Sequence, residues 1–255
     1  MNIYDCNLRY GTQIRPTGYR RCDTIEELIL QAKRSGINGG FLRCVDTDYT
    51  GVVFGNAKLT RDLVKVRNAG LDMWGAWGMV PSCTRETPAP QDLFDQMKQN
   101  HIGSIYFNPQ EHHYFPRKTV IGDYCAMAEE KKIPVIFVSD YGVDVNQADD
   151  ILKDFPKLRA IIILCRHWNQ GRQIYPFLEA YENVMIDTSY RWDDQGVEYV
   201  VQNYGAHRLM MGTGFPEHYM GGSIAHVHCA EISQQDKELI FSGNMIRLLE
   251  EAGLK

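Results

Sequence analysis

The sequence predicts an α/β protein, a (β/α)8 TIM barrel, from three observations. Eight strand-like segments alternate with helix-like segments along 255 residues, and this alternation is typical of a parallel sheet. The segments IPVIFV and LRAIIILC are short, apolar and rich in β-branched residues, as expected for strands buried on both faces. Eight such units in roughly 250 residues match the barrel. The alternative is a doubly wound open sheet, but no G-x-G-x-x-G follows the first strand.

The first half of the chain supplies four of the predicted strands. The first strand covers residues 3–8, and Thr24 is a suitable N-cap for a helix that runs to about Ser35 and ends at Gly36. Glu26 and Glu27 lie in its first turn, where the positive end of the helix dipole stabilises acidic side chains. The remaining strands are predicted at residues 40–45, 71–77 and 103–107, and the remaining helices at 58–68, 88–100 and 119–131.

The second half completes the barrel. Strands are predicted at residues 133–138, 158–165, 184–187 and 207–211, and helices at 145–154, 171–181 and 193–204. Two closing helices follow at 222–230 and 233–251, the second interrupted near Gly243. No linker, internal repeat or low-complexity run divides the chain, so we expect residues 1–255 to form one domain.

Composition excludes several classes of function. The chain has 27 Lys and Arg against 32 Asp and Glu, a formal net charge of −5. No long basic run occurs, so nucleic acid and anionic membranes are not expected as partners. Seven scattered cysteines without a C-x-x-C motif indicate reduced thiols. Because no signal peptide or long apolar span is evident either, we expect a cytoplasmic protein.

Candidate functional residues lie where the predicted strands end, because the βα loops of such barrels carry the chemistry. Alternation along the first strand puts Asp5, Asn7 and Arg9 on one face. An inward Asp5 needs partners, since an unpaired buried charge is costly. Arg9 is an obvious cation for Asp5 or for a ligand. A purely structural network and a ligand site both remain open.

Three histidines, His112, His167 and His218, follow different strands and could converge at the mouth. A zinc site needs about four ligands in tetrahedral reach, and nothing in the spacing enforces one. No cofactor is therefore expected, with zinc or manganese as the alternative. The G-x-S-x-G elbow of serine hydrolases is absent. Cys165 beside His167 stays open as a nucleophile, although a buried inert cysteine is more common.

Several segments together resemble the amidohydrolase-related branch of the amidohydrolase superfamily. They are FPKLRAIIILCRHWNQ, NVMIDTSYRW, YGAHRLMMGTGFP and AEISQQDKELIFSGNMIRLLE, with IYDCNLRYG and KKIPVIFVSDYG nearer the start. The resemblance implies a metal-dependent-hydrolase-like barrel. It ordinarily implies metal-assisted hydrolysis or non-oxidative decarboxylation.

Most of the family's metal-ligand positions hold residues that do not bind metals. The resemblance carries the ligands of strands one, five, six and eight onto Asn7 with Arg9, Val138 or Ser139, His167, and Gly214. Only His167 could coordinate an ion, and one imidazole does not hold a divalent metal. Arg9 would also place a fixed positive charge near the vacant position.

We therefore expect a divergent, metal-independent hydrolase or lyase that acts on a small anionic substrate. The predicted catalytic residues are His167, Asp140, Glu217 and His112, with Asp187 as a further candidate base. A guanidinium binds carboxylate or phosphate in a bidentate fork. The predicted substrate-binding residues are accordingly Arg9, Arg166 and Arg191, together with Asn7, Thr213 and Gly214. The Gly-Thr-Gly turn leaves room and backbone N–H groups that favour an anion.

Two other functions remain open at this stage. The first is a catalytically inactive barrel that binds a ligand or a partner subunit, because ligand positions on three strands are lost together. The second is a metal-dependent hydrolase or decarboxylase with relocated ligands such as His112, His113, His167 and His218. Barrels of this kind often self-associate, so a homo-oligomer is also open.

Overall fold

The protein is an eight-stranded parallel barrel in this computed structural model. The structure describes residues 1–12, 21–139, 142–164, 171–190 and 193–255. Each strand pairs with the next in chain order, from β1 to β8. The strands are β1 (Tyr4–Tyr10), β2 (Gly39–Cys44), β3 (Asp72–Met79), β4 (Ile102–Phe107), β5 (Val135–Val138), β6 (Ala160–Ile163), β7 (Val184–Asp187) and β8 (Leu209–Met210).

The helices lie between and after the strands. They are α1 (Ile25–Arg34), α2 (Asp46–Tyr49), α3 (Val52–Asn68), α4 (Pro90–Asn100), α5 (Lys118–Glu130), α6 (Val145–Asp154), α7 (Gly171–Ala180), α8 (Gly196–Tyr204), α9 (Met220–Cys229), α10 (Gln234–Glu238) and α11 (Asn244–Glu251). Within the described ranges, no helix has the length and apolar character needed to cross a membrane.

Backbone hydrogen bonds join the last strand region to the first. The Cys6 amide donates to the Met211 carbonyl at 2.8 Å, and the Arg9 amide donates to the Phe215 carbonyl at 3.1 Å. These bonds bring the chain after β8 against β1. The carboxyl ends of β1, β7 and β8 therefore meet on one side of the barrel mouth.

The amino-terminal end of the barrel is held by a buried arginine. Arg208 precedes β8 and is 6% exposed. Its guanidinium donates to the carbonyls of Val184 at 2.7 Å, Leu178 at 3.0 Å and Tyr181 at 2.6 Å. The last two carbonyls lie around the carboxyl end of α7, where helical carbonyls have no intrahelical partner. Arg208 thus fastens α7 to the base of β7 and β8.

The predicted order of strands and helices is confirmed, and two local differences have physical causes. The four-residue helix α2 was not predicted, since so short a segment shows no period. The closing helix is not broken at Gly243: a π-helical turn over Leu239–Gly243 joins α10 to α11. The predicted cap of α1 is present as a full capping box, in which Thr24 and Glu27 bond each other's backbone.

Candidate active site

Asp5 is held inside the barrel by the β8 tip. Its carboxylate accepts hydrogen bonds from the Thr213 hydroxyl at 2.5 Å and the Thr213 amide at 3.0 Å. The Asn7 amide adds a third bond at 2.8 Å. The pairing of β1 with β2 shifts between Asp5 and Leu8, and such irregularities re-aim side chains near functional sites. Both Asp5 and Asn7 are fully buried.

Asp187 ends β7 on the same side of the mouth. Its oxygen Oδ2 accepts from the Asn7 side-chain amide at 3.3 Å, from the Ser189 backbone amide at 3.3 Å, and from the Ser189 hydroxyl. The residue has no exposed surface. Its other oxygen, Oδ1, is buried and has no hydrogen-bond partner in the part of the chain that the structure describes. Such an atom costs free energy unless a ligand or water supplies a donor.

Asn7 connects this carboxylate to a cation. Its oxygen Oδ1 accepts from Arg43 Nη2 at 2.5 Å, while its nitrogen Nδ2 donates to Asp187 and, at 3.0 Å, to the Ser189 hydroxyl. Arg43 lies on β2, is 6% exposed, and has its guanidinium carbon 5.7 Å from the centre of the Tyr106 ring. The result is a buried series of guanidinium, amide and carboxylate.

Both inward carboxyl groups titrate well above their usual range. Burial raises the pKa of Asp5 to about 6, against the hydrogen bonds from Thr213 and Asn7 and the charge of Arg43. Burial likewise raises the pKa of Asp187 to about 6, against the bonds from Ser189 and Asn7, and the charge of Asp5 adds to the increase. A carboxyl group with a pKa in this range can exchange a proton near neutral pH.

The pKa of Glu217 is shifted in the opposite direction, below its usual range. Arg9 Nη2 lies 2.8 Å from one of its oxygens, and the Tyr190 hydroxyl donates to the other at 2.5 Å. Burial alone would raise the pKa of Glu217, but the charge of Arg9 and the bond from Tyr190 outweigh it and hold this pKa below its usual range. Glu217 is therefore a fixed carboxylate that anchors Arg9.

His218 and Gly214 lie beside this ion pair. Ring nitrogen Nδ1 of His218 is 3.1 Å from the Ser189 carbonyl, which can only accept, so Nδ1 carries a hydrogen. The Tyr190 ring packs edge-on against the imidazole, with 4.4 Å between the two ring centres. Gly214 has φ 68°, and a Cβ there would stand 3.3 Å from His218 Nδ1 and 3.4 Å from Ser189 Cβ. The turn is thus closely packed on the β7 side.

The opposite side of the mouth carries a second polar group, formed after β2 and β4. The Tyr106 hydroxyl donates to Asp48 at 3.1 Å. His112 Nε2 lies 3.0 Å from the Thr47 carbonyl. Burial raises the pKa of Asp48, while hydrogen bonds from Asn108 and Tyr106 and the charges of Arg43 and His112 oppose the increase. This side therefore combines a carboxyl group with an amide, a phenol and an imidazole.

Several residues predicted from the sequence fall inside this arrangement. Asn7, Arg9, Thr213, Gly214 and Glu217 lie together on the β1 and β8 side, and His112 lies on the β2 and β4 side. Asp140, Arg166, His167 and Arg191, and also Cys165, are outside the described residues.

The sequence did not identify Arg43, and of the two roles it left open for Arg9, pairing with Asp5 is not what the structure has. Arg9 pairs with Glu217, whereas Arg43 is the charge that acts on Asp5. Arg43 stands inside the apolar strand segment GFLRCV, which reads as a buried strand. The signal that could have found Arg43 is a charged residue inside an otherwise apolar strand. In the structure, Arg43 is the register partner of Arg9 on β1.

The described residues do not fit a divalent metal ion. Among them, no group of three His, Cys, Asp or Glu side chains could hold one. At the positions where the resemblance puts metal ligands, β1 carries the Asn7 amide and Arg9, whose guanidinium binds Glu217, and Gly214 after β8 has no side chain. Neither an amide nor a guanidinium provides the anionic or imidazole donors that such ions require. We therefore derive no chemical step through a metal.

Comparison with solved structures identifies the fold. An uncharacterized TIM-barrel protein from Bordetella bronchiseptica is 18% identical, with a TM-score of 0.73, covering 99% of this chain and 100% of that chain. An amidohydrolase II is 12% identical, with a TM-score of 0.69 and coverage of 98% and 100%. Dihydroxybenzoic acid decarboxylase from Polaromonas, solved with manganese and 2-nitroresorcinol, is 13% identical, with a TM-score of 0.72 and coverage of 98% and 97%.

No family model matches the sequence, and no curated protein matches it. At identities this low, the structural likeness shows the fold alone. The chain therefore has the (β/α)8 barrel fold of these solved structures, as the sequence predicts.

Proposed function

We propose that the protein is a hydrolase or lyase that binds a small anionic substrate at the barrel mouth and needs no metal ion. The observation that carries the proposal is the buried connection from Arg43 through Asn7 to Asp187. It puts a permanent positive charge and a titrating carboxyl group into one hydrogen-bonded unit.

Arg43 supplies the charge for substrate binding. A guanidinium stays protonated and offers donors in a planar fork that matches a carboxylate or phosphate. The bond to Asn7 and the Tyr106 ring hold it in one orientation, which lowers the entropy lost on binding. Arg9, which the sequence favoured for this role, is already bound to Glu217 and supports the site from the β8 side.

Asp187 is the best-supported proton-transfer group. With a pKa of about 6 it is mostly ionised at pH 7 and can accept a proton from a substrate or a water molecule. Its oxygen Oδ1 has no partner within the described residues, so a bound group with a hydrogen to give would satisfy it. Glu217 fits this role less well, because its lowered pKa makes it a weak base.

The proposal is tested by turnover with and without metal. Chelator-treated protein is assayed on a panel of small esters, lactones and aryl acids, together with Asp187→Asn and Arg43→Gln. We expect the wild type to turn over at least one substrate, and Asp187→Asn to lose about a hundredfold in kcat, the usual size of a proton-transfer contribution.

The control is Asp46→Asn. Asp46 pairs with Lys58 at 2.7 Å, and it is neither of the two carboxylic acids, Asp5 and Asp187, on the β1 and β7 side. Its kcat should stay near the wild-type value. Activity that appears only after zinc or manganese is added would support relocated metal ligands instead. An absence of turnover on the whole panel would support the inactive, ligand-binding barrel.

A further inference from the structure

The two oxygens of the Asp187 carboxylate have different surroundings. Oδ2 accepts from the Asn7 side-chain amide at 3.3 Å, from the Ser189 backbone amide at 3.3 Å and from the Ser189 hydroxyl. The chain at Gly212 covers the same oxygen, because a Cβ there would stand 2.6 Å from it. Oδ1 is buried and has no partner within the described ranges. Since a carboxylate oxygen has about two lone-pair sites, three donors occupy Oδ2 and leave Oδ1 for a further hydrogen.

Ser189 supplies two of these three donors. Its hydroxyl also accepts from Asn7 Nδ2 at 3.0 Å, and this nitrogen can only donate. The single hydroxyl hydrogen must therefore point to Asp187. The Ser189 backbone amide closes a turn onto the carboxylate two residues earlier, a local bond that Asp side chains commonly make. One residue thus fixes both the rotation of the carboxylate and the oxygen that carries its hydrogen bonds.

Ser189 is itself held in place by the chain after β8. It is 1% exposed, and its carbonyl accepts from His218 Nδ1, 3.1 Å away. A Cβ at Gly214 would lie 3.4 Å from Ser189 Cβ, so the turn packs closely against this residue. Because the Ser189 hydroxyl is buried and engaged by Asp187 and Asn7, it affects a substrate only through Asp187.

We infer that Ser189 is a positioning residue that keeps Oδ2 of Asp187 hydrogen-bonded and thereby directs proton exchange to Oδ1. The hydrogen leaves the substrate or a water molecule as a proton, its bonding electrons stay on the atom that it left, and the new O–H bond forms at Oδ1. This inference rests on the proposed function, because it takes Asp187 as the group that transfers the proton. It adds the reacting oxygen and the residue that selects it.

The other ionisable groups around Asp187 must stay unchanged for a test of Ser189 to be clear. In the described structure, the groups that act on Asp187 or contact its partners are Asp5 and Cys6 on β1, Arg43 on β2 and His218 after β8. Ser189→Ala removes one hydroxyl and none of these groups. A change in the titration of Asp187 therefore reports the lost hydroxyl.

The first test compares Ser189→Ala with the wild type in a carbon-13 NMR titration of the Asp5 and Asp187 carboxyl groups. Loss of the hydroxyl donor destabilises the ionised form of Asp187. We expect the midpoint to rise by about one pH unit above the wild-type value near 6, as the loss of one hydrogen bond would give. With a substrate that the wild type turns over, the limb of the kcat profile that reports ionised Asp187 should move by the same amount, and KM should stay within about twofold.

Two further variants separate positioning from a loss of packing. Ser104→Ala on β4 removes another fully buried serine hydroxyl, which donates to the Pro134 carbonyl at 2.9 Å. It should leave the midpoint and the profile at their wild-type values. Ser189→Thr keeps the hydroxyl and should restore both. Thermal unfolding checks that each variant is folded.

Asp187→Asn tests which oxygen is left to react. The Ser189 donors require the new amide oxygen at the place of Oδ2, which puts the NH2 group at the place of Oδ1. The nuclear Overhauser effect between this NH2 group and the backbone hydrogen of Ser189 should then be weak. A strong effect would show that the amide is reversed, and it would overturn the assignment of Oδ1.

The outcomes distinguish this inference from the proposed function. If Asp187→Asn loses the activity of the wild type, yet Ser189→Ala shifts neither the midpoint nor the profile, Ser189 is not a positioning residue and the proposed function stands. Equal shifts in Ser104→Ala would overturn the inference in the same way. If Asp187→Asn keeps the wild-type kcat, or if no substrate is turned over, both proposals fail.

Discussion

Asp72 at the amino-terminal end of the barrel and Asp5 and Asp187 at the mouth have pKa values shifted in opposite directions. At the amino-terminal end, Asp72 accepts from the Tyr4 hydroxyl at 2.7 Å and Trp74 Nε1 at 3.1 Å, and it pairs with Lys255 at 2.5 Å. Burial works against its charge, but Lys255 and Tyr4 hold the pKa of Asp72 below its usual range. At the mouth, Asp5 and Asp187 have pKa values of about 6.

The difference comes from partners and from exposure. Asp72 is half-buried and touches an ammonium group, so its charge is compensated. Asp187 is fully buried, and its bonds come from the neutral groups of Asn7 and Ser189. The charge of Asp72, which Lys255 compensates, stabilises the fold. The charge of Asp187, which no cation contacts directly among the described residues, costs stability. Such costs are typical of sites kept for function.

The largest expected effect is at the base and concerns stability alone. Arg208→Met removes three hydrogen bonds to the carbonyls of Val184, Leu178 and Tyr181, of which the Tyr181 carbonyl keeps a bond from the Val184 amide at 3.3 Å. We expect a loss of about 3 kcal/mol in the free energy of unfolding, because each buried hydrogen bond from a charged group contributes about 1 kcal/mol or more. Urea denaturation measures it.

The same variant tests whether the two ends of the barrel have separate roles. The fraction of Arg208→Met protein that remains folded should bind small carboxylates as the wild type does. A variant that keeps its stability but loses carboxylate binding would show that the base and the mouth are not separate in function.

A smaller effect should appear in the dependence of stability on pH. The folded pKa of Asp187, about 6, lies above the ordinary 3.8. The folded chain therefore holds this proton more tightly than the unfolded chain, and its stabilising contribution is complete below pH ~4 and is lost as the pH rises to about 6. Asp187→Asn cannot ionise, so at pH 7 we expect it to be more stable than the wild type, by at most about 3 kcal/mol for a pKa raised from 3.8 to about 6.

Asp72→Asn provides the matched control with the opposite sign. Because the folded pKa of Asp72 is lowered, its contribution is present above the ordinary pKa and is lost as the pH falls through the folded value. Asp72→Asn should therefore destabilise the protein at pH 7. Urea denaturation between pH 4 and pH 7 compares the two variants, and changes of the same sign at both ends would contradict the contrast.

The sequence predicted the barrel well because its elements are set by local patterns. The apolar segments of β5 and β6, the capping box at Thr24 and the alternation of Asp5 with Asn7 are all local signals. The site depends instead on contacts between distant residues. Asn7 meets Asp187 across 180 positions, and Asp5 meets Thr213 across 208, distances in the chain that no local pattern reports.

The pairing of cations with carboxylates could not be predicted from the sequence, for a physical reason. Which cation serves which carboxylate depends on how side chains from different strands share the mouth. Arg9 and Arg43 are neighbours in register, but Glu217 from the β8 loop binds Arg9 and leaves Arg43 to act on Asp5. The pKa of a carboxyl group follows from this sharing and from burial, and neither is visible in one sequence.

The most direct test of the raised pKa values of Asp5 and Asp187 is a carbon-13 NMR titration of the Asp side-chain carboxyl groups between pH 3 and pH 8. Asp187→Asn and Asp72→Asn identify the signals of Asp187 and Asp72 by their loss. Because Asp5 and Asp187 interact, their signals report the pair. We predict that the pair titrates near pH 6 and that Asp72 titrates below its ordinary value. If Asp187 titrates near its ordinary 3.8, the mouth is not poised for proton transfer and the account is contradicted.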